Sequence, residues 1–134
     1  MIEKNIENLI GPHAAKKIKK MAEHTRSCTM MTALDKRPIS SRPMGIQKAD
    51  DQARIYFLSH KGSDKNKELR KSAEMQLIIN NDKDAEYISL YGYADVYRDQ
   101  QQIDEMYSQL ANNWFTGKED PNITIIRFTP KSGH

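Results

Sequence analysis

The amino-acid sequence predicts a mainly β protein, either a closed or split antiparallel barrel or, as the alternative, a β-sandwich. From position 27 onward, apolar residues recur with a period of two, which is typical of half-buried strands. Charged, Asn and Asp residues separate the apolar segments at 34–37, 49–52 and 81–84. Such short links favour antiparallel hairpins over parallel crossovers. The alternation is cleanest in residues 86–98, so one face of the sheet is expected to be buried.

The expected elements form a single domain over residues 1–134, since a chain of this length supports one hydrophobic core. A helical N-terminal segment, 1–25, precedes six strands. Two helices interrupt the strands. The first begins after the predicted N-cap Ser63, and the second begins after Asp99, which starts a predicted capping box with Gln102. The strands are expected at 27–33, 39–48, 54–59, 75–80, 86–98 and 123–128.

Composition argues against several classes of function. The net charge of +3 comes from 21 basic and 18 acidic side chains, and no aromatic residues interleave with the lysines of 16–20, so we predict no nucleic-acid partner. No apolar run approaches the roughly 20 residues that span a membrane, so no membrane association is expected. With one cysteine, Cys28, and a polar N-terminus, the chain is expected in the cytoplasm. The histidines lack partners at ligand spacing, which predicts no metal site, and no side chain is an evident catalytic acid or base.

Residues 54–71 have the layout of a phosphate site, in which an apolar strand runs through hydroxyls and lysines into a helix. Ser63 is the expected N-cap, and the free N–H groups of the first helical turn favour an anion. Ser59 would add a hydroxyl donor, and Lys65 would add a full positive charge. The same order is typical of an ordinary surface β-loop-α junction, so these residues alone leave both interpretations open.

The second predicted strand, 39–48, departs from the pattern of a central strand. Pro43 has no N–H to donate and Gly45 has no side chain, so the strand is expected at a sheet edge or as a bulge that another group approaches closely. A flat ligand fits there, with Met44 against its ring and Arg42 reaching a phosphate at the strand-to-helix loop. A distorted edge strand with a solvated arginine is the alternative.

The fifth predicted strand has one apolar face and one aromatic face. Ile88 and Leu90 belong to the first face, which is expected in the core. Tyr91 and Tyr93 belong to the second face, which is too aromatic for plain solvent exposure. We expect that face either to pack under a helix or to meet another subunit.

Five motifs occur in order along the chain: Arg42-Pro43-Met44, 55–59 with Ser63-Asp64-Lys65, 88–94, Trp114-Phe115 and 121–127. Their order and spacing resemble the general stress protein branch of the pyridoxamine 5′-phosphate oxidase-like family, from about position 13 onward. The resemblance implies a six-stranded antiparallel split β-barrel of the FMN-binding type. It also implies a homodimer that holds flavin mononucleotide (FMN) at the subunit interface, with FAD as a second candidate cofactor.

The resemblance implies roles for residues near the flavin ring. Arg42 matches the family arginine that contacts the flavin phosphate and ribityl chain, while Pro43 and Met44 match the segment that lines the isoalloxazine. Gln47 stands where the oxidases have a lysine near the ring. Trp114 resembles an aromatic that the partner subunit places near the ring, and a buried core tryptophan is the alternative.

The resemblance also implies how the phosphate is held. Ser59 matches a hydroxyl that donates to the phosphate, and Ser63 and Lys65 match the end of the loop that grips it. Asp64 stands where the oxidases carry a basic residue, which removes one favourable charge.

The activity implied by the resemblance is that of an FMN-dependent oxidoreductase, and a non-catalytic flavin carrier or stress-response sensor is the alternative. The arginine and histidine with which true oxidases hold the pyridoxine substrate have no counterpart in residues 129–134. We therefore expect no oxidation of vitamin B6 phosphates and expect another small molecule as the electron donor.

Overall fold

The computed structural model describes residues 11–133. Within that range the chain forms three α-helices, seven β-strands and two short 3₁₀ turns. The part of the predicted N-terminal helix in residues 1–10 lies outside the described residues. The elements in chain order are α1 (Pro12–Thr25), β1 (Ser27–Thr32), β2 (Ser40–Gly45), β3 (Lys48–Ala49), β4 (Ile55–His60), α2 (Asp64–Lys71), β5 (Glu74–Asn81), the 3₁₀ turn Asp82–Asp84, β6 (Glu86–Tyr97), α3 (Gln100–Met106), the 3₁₀ turn Gln109–Asn113 and β7 (Ile123–Gly133).

The strands belong to one antiparallel sheet in the order β2-β1-β5-β6-β7-β4-β3. The three predicted hairpins are present, because β1 pairs with β2, β3 pairs with β4, and β5 pairs with β6. The sheet curves into a half-barrel with the helices at its periphery. The prediction of a mainly β antiparallel fold is therefore confirmed, and the single sheet excludes the sandwich alternative.

The structure has seven strands where the sequence predicted six, because the predicted strand 39–48 is divided into β2 and β3. The division falls at Ile46 and Gln47, where the backbone donors change partners. Ile46 N donates to the carbonyl of Arg26 at 2.9 Å, whereas Gln47 N donates to the carbonyl of Tyr56 at 2.9 Å. The chain thus crosses from the β1 side to the β4 side, and residues 46–47 link the two edges of the sheet.

The last strand is longer than predicted. Residues 129–133 lack the apolar alternation of a half-buried strand, yet they pair with β6 as far as the register Leu90 to Gly133. This pairing follows a register shift between Tyr91 and Gly92. Hydrogen bonding to an adjacent long strand, rather than local pattern, makes these residues part of β7.

Buried side chains form two hydrophobic clusters on the two faces of β4. Ile55 and Phe57 lie in the first cluster, to which α1 contributes, while Tyr56 and Leu58 lie in the second, to which α3 contributes. Cys28 belongs to the first cluster, and burial raises the pKa of its thiol to about 12, so the thiol stays protonated. Because β4 is packed on both faces, the residues at its C-terminal end are held in place.

Both predicted N-caps are confirmed. Ser63 Oγ accepts a hydrogen bond from Asn66 N at 3.3 Å, and the Asp99 carboxylate accepts one from Gln102 N at 3.1 Å. The reciprocal half of the predicted capping box of Asp99 and Gln102 is not formed, because the Gln102 side chain accepts a hydrogen bond from the Tyr97 hydroxyl at 2.5 Å instead. Ser63 therefore determines where α2 begins, at the edge of the predicted phosphate loop.

The aromatic face of β6 lies partly under a helix and is partly exposed. Tyr97 packs against the second cluster, which includes side chains of α3. Tyr87 and Tyr93 are 60% and 43% exposed, and the rings of Tyr91 and Tyr93 meet edge to face with centroids 5.8 Å apart. A helix covers one end of the face, and the rest stays open to solvent.

Asp50 organises the turn between β3 and β4. Its carboxylate accepts hydrogen bonds from Arg54 Nε at 2.7 Å, from Gln52 N at 3.0 Å and from the Tyr56 hydroxyl at 2.9 Å. Burial opposes ionisation, but these hydrogen bonds outweigh it, so the pKa of Asp50 is lowered. A folded-state pKa below the unfolded value stabilises the protein above about pH 4, and this stabilisation is lost as the pH falls through the folded-state pKa.

We expect Asp50→Asn to lower the free energy of unfolding by about 1–2 kcal/mol at neutral pH and by less at about pH 3. Urea unfolding at the two pH values measures the difference. Asp51→Asn is the control, because Asp51 is exposed and its ion pair with Lys19 lies at the surface. Equal losses at both pH values for Asp50→Asn would contradict this account of the turn.

Candidate functional site

A cavity of about 270 Å³ lies where β2, the 46–47 link, the end of β4, the start of α2 and the 109–115 turn meet. Six of the eight predicted site residues line it: Pro43, Met44, Gln47, Ser59, Lys65 and Trp114. The other residues that line it are Gly45, Leu58, His60, Leu110, Ala111 and Phe115. The structure thus brings together residues that lie far apart in the sequence.

The wall of the cavity is apolar and rests on both hydrophobic clusters. Leu58, Ala111 and Phe115 belong to the second cluster, and Met44 packs against the first. Side chains with packing behind them form a firm, largely preformed surface. Such a wall suits a flat aromatic ring.

Two large apolar side chains at the rim of this cavity are exposed. Trp114 is 73% exposed and Leu110 is 72% exposed, although both line the cavity. The alternative of a buried core tryptophan is therefore wrong. Large apolar side chains beside a cavity indicate a surface that a ligand or a second chain covers.

Lys65 brings a positive charge to the polar end of the cavity. Burial, followed by the positive charge of Arg42, lowers the pKa of the half-buried Lys65. None of the ion pairs within residues 11–133 involves Lys65. The N–H groups of Asp64 and Lys65 lie in the first turn of α2 and have no intrahelical acceptor. An anion here would favour the charged ammonium and accept these hydrogen bonds.

Arg42 and Ser63 are the two predicted site residues that do not line the cavity. The Arg42 guanidinium donates to Thr32 Oγ1 at 2.9 Å and to Ser40 Oγ. It also forms an ion pair with Glu68 of α2 at 3.3 Å. Contact between Arg42 and a ligand in the cavity therefore requires exchange of Glu68 for that ligand, while the Ser63 hydroxyl is engaged as the cap of α2.

Sequence reasoning missed His60 and the position of Leu110. His60 lines the cavity, and its Nδ1 accepts a hydrogen bond from Gly62 N at 3.1 Å. Ile103, Met106 and Leu110 follow helical spacing, but α3 ends at Met106 and the 3₁₀ turn brings Leu110 to the cavity. The dipeptide Trp114-Phe115 was the signal in the sequence that pointed to this wall.

Residues 11–133 contain neither a metal-binding cluster nor a membrane-spanning helix. Within residues 11–133, no group of three or more His, Cys, Asp and Glu side chains is placed to hold a metal ion. The helices of this same range are too short or too polar to cross a bilayer.

The sequence model of the family described as "Pyridoxamine 5′-phosphate oxidase like" matches residues 13–134. The chain belongs to this family. The resemblance predicted from the order of five motifs is thereby confirmed.

The chain is similar to three general stress proteins. General stress protein 26 of Bacillus subtilis (strain 168) is 25% identical over 84 residues, a match that spans 60% of this chain and 60% of that relative's length. General Stress Protein 26 from Bacillus anthracis str. Sterne superposes with a TM-score of 0.81 at 20% identity, over 91% of this chain and 92% of the other. The general stress FMN/FAD binding protein from Xanthomonas citri has a TM-score of 0.74 at 17% identity, over 90% and 84% of the two chains. The two structural likenesses confirm the split-barrel fold.

Proposed function

We propose that this protein binds FMN and uses it in an oxidoreductase reaction, with each cofactor shared by two copies of the chain. The observation that carries the proposal is Lys65, a half-buried cation that has no ion-pair partner among the described residues and stands at the polar end of an apolar cavity. A phosphate at Lys65 would provide the partner, and the isoalloxazine would lie along the apolar wall. Family membership and the relative described as FMN/FAD binding support a flavin.

The cofactor would be held at its two ends by different elements. Pro43 and Met44 of β2 would face the ring, and the Gln47 amide would hydrogen-bond its polar edge. Ser59 and Lys65 would contact the phosphate. FAD carries the same ring but would present a diphosphate to Lys65, so titration with both flavins decides between them.

Arg42 and Ser63 would act on the phosphate less directly. Ser63 caps α2 and would thereby present the first-turn N–H groups to the phosphate. Arg42 would add its charge by exchanging Glu68 for the phosphate, or would act at longer range from its present position.

A second copy of the chain would complete the cavity. Its volume of about 270 Å³ falls just below the roughly 300–1,000 Å³ of typical ligand pockets, and one side is bordered by exposed Trp114 and Leu110. A partner subunit that covers these side chains would bury apolar area and supply the missing wall.

We expect a homodimer at micromolar concentration and a shift toward the 15.5 kDa monomer in Trp114→Glu, because the charge would have to be buried at the interface. Sedimentation velocity measures both species. Ile39→Glu is the control, since Ile39 is also exposed but does not line the cavity. A wild-type monomer that binds FMN would contradict the shared site.

The chemistry of the proposed reaction is that of the flavin, which accepts and returns electrons when bound. The chain's own residues bind and orient the cofactor and exclude water from one face of it. Among residues 11–133, those that line the cavity include one lysine and no arginine. With Lys65 on the cofactor phosphate, no second strong cation is left for a phosphorylated substrate, so we expect no oxidation of pyridoxamine 5′-phosphate.

Two measurements test the proposed function. Titration of the purified protein with FMN, followed by flavin fluorescence, should show saturable binding that weakens with added salt. Anaerobic mixing with reduced nicotinamide nucleotides should then bleach the bound flavin, and an electron acceptor should restore its colour over repeated cycles. Binding without any reduction would identify a flavin carrier or sensor instead, and absence of binding would overturn the proposal.

A further inference from the structure

Three buried polar side chains form a hydrogen-bonded row behind the polar end of the cavity. Ser59 of β4 and Thr124 of β7 are register partners, and their hydroxyl oxygens lie 2.6 Å apart. Asn66 of α2 is 0% exposed, and its Nδ2 donates to Thr124 Oγ1 at 2.8 Å. Ser59 alone of the three lines the cavity. The row thus connects the first turn of α2 to the cavity through two hydroxyls.

The number of hydrogens in the row limits what Ser59 can do. Thr124 Oγ1 has a single hydrogen, which can go to Ser59 Oγ at 2.6 Å or to the carbonyl of Ser59 at 3.0 Å. The shorter contact is the better O–H···O hydrogen bond. When Thr124 donates to Ser59 Oγ, the hydrogen of Ser59 is free to point into the cavity. When Ser59 donates to Thr124 instead, only lone pairs of Ser59 are left for a ligand.

The orientation of the Asn66 amide is compatible with the first of these arrangements. As an N–H donor to Thr124, Asn66 leaves one buried acceptor, Oδ1, without a hydrogen-bond partner among the described residues. With Asn66 as donor, Thr124 can accept on one side and donate to Ser59 Oγ on the other, and each hydroxyl in the row is then polarised in the same direction. A phosphate in the cavity would select this arrangement, because it accepts the Ser59 hydrogen and is repelled by oxygen lone pairs.

We propose that Asn66 and Thr124 are positioning residues that direct the Ser59 hydroxyl hydrogen toward the phosphate of the ligand, so that the site prefers a phosphorylated flavin to the same flavin without phosphate. The proposal rests on the proposed function and adds a determinant of ligand choice to it. A hydroxyl aimed by a fixed donor row requires no reorganisation when the anion arrives. Neither positioning residue contacts the ligand in this arrangement.

The test compares the affinities for FMN and riboflavin, which differ only by the phosphate. We expect Thr124→Val, which keeps the side-chain shape but removes the hydroxyl, to lower FMN affinity by about tenfold and to leave riboflavin affinity within about twofold. Thr124→Ser should restore the preference for FMN. Thr29→Val is the control, because Thr29 is an exposed strand threonine. A general structural defect would weaken both flavins together.

A double-mutant cycle shows whether Thr124 acts through Ser59. In a Ser59→Ala background, Thr124→Val should have no further effect on the ratio of the two affinities. If thermal unfolding shows that Thr124→Val does not fold, Asn66→Leu takes its place in the same cycle. The proposal would be overturned if the ratio of FMN to riboflavin affinity were unchanged in the folded variant. It would also be overturned if the effects of Ser59→Ala and Thr124→Val on this ratio were additive. Failure of the wild-type protein to bind FMN would overturn the proposed function as well.

Discussion

Lys65→Ala is expected to weaken FMN binding by about 1–3 kcal/mol, the free energy of losing one charge-assisted hydrogen bond. Lys65 stands half-buried at the polar end of the cavity, and burial lowers the pKa of its ammonium in the absence of an anion. Removing the side chain removes the group that a phosphate would pair with. The salt dependence of FMN affinity should also become shallower, because one screened charge contact is gone.

Lys67→Ala is the matched control for this experiment. Lys67 lies on the same helix, is exposed and does not line the cavity, so its removal lowers the overall positive charge without touching the site. Fluorescence titration with FMN and riboflavin measures both variants. Equal effects of Lys65→Ala and Lys67→Ala on FMN affinity would show that the phosphate is bound elsewhere. If Lys65→Ala weakened FMN and riboflavin binding equally, Lys65 would not act through the phosphate.

Gly92→Ala is expected to lower the free energy of unfolding by about 3 kcal/mol or more. A Cβ at Gly92 would lie 2.1 Å from the carbonyl oxygen of Thr129 and 2.9 Å from Cα of Pro130. Both are backbone atoms of β7, so no side-chain rotation relieves the contact. The clash falls at the register shift between β6 and β7, in the middle of the sheet, where separation of the strands would loosen the core.

Gly62→Ala is the control for the effect of a methyl group added to a glycine. The nearest atom to a Cβ at Gly62 is Nδ1 of His60 at 3.6 Å, which is ordinary van der Waals contact. Urea unfolding followed by circular dichroism measures both variants, and Gly62→Ala should stay within about 1 kcal/mol of the wild-type protein. A similarly small loss for Gly92→Ala would show that β6 and β7 can separate there without cost.

Local chemistry was sufficient to predict most of the strands and the starts of two helices. Alternation with a period of two located the strands, and links of about four residues required antiparallel pairing. Ser63 and Asp99 predicted the starts of two helices, because an N-cap acts on N–H groups within three residues of itself. All of these signals operate over distances of a few residues, so they can be read from sequence.

The division of the predicted second strand could not be derived in the same way. Pro43 and Gly45 indicated an irregular edge, but not that the chain would leave one sheet edge and join the other. That crossing depends on the acceptors that Ile46 and Gln47 find, the carbonyls of Arg26 and Tyr56. Those acceptors are placed by α1 and β4, which the local pattern around position 46 does not describe.

The candidate site also depends on contacts that local sequence patterns do not describe. The order of motifs along the chain was sufficient to nominate Met44, Ser59 and Lys65, and the tertiary structure places all three around one cavity. Whether they hold a flavin stays a prediction. The pairing of Arg42 with Glu68 was not foreseen, because it depends on the approach of α2 to β2.

The sequence by itself determined the fold class, the family and the segments from which a cavity would be built. The tertiary structure alone decided which side chains are free at that cavity. Lys65 has no ion-pair partner among the described residues, whereas Arg42 has one, although both are cations of the same predicted site. The physical reason is that charge pairing and burial depend on distances between residues far apart in the chain, and a sequence pattern fixes only distances between near neighbours.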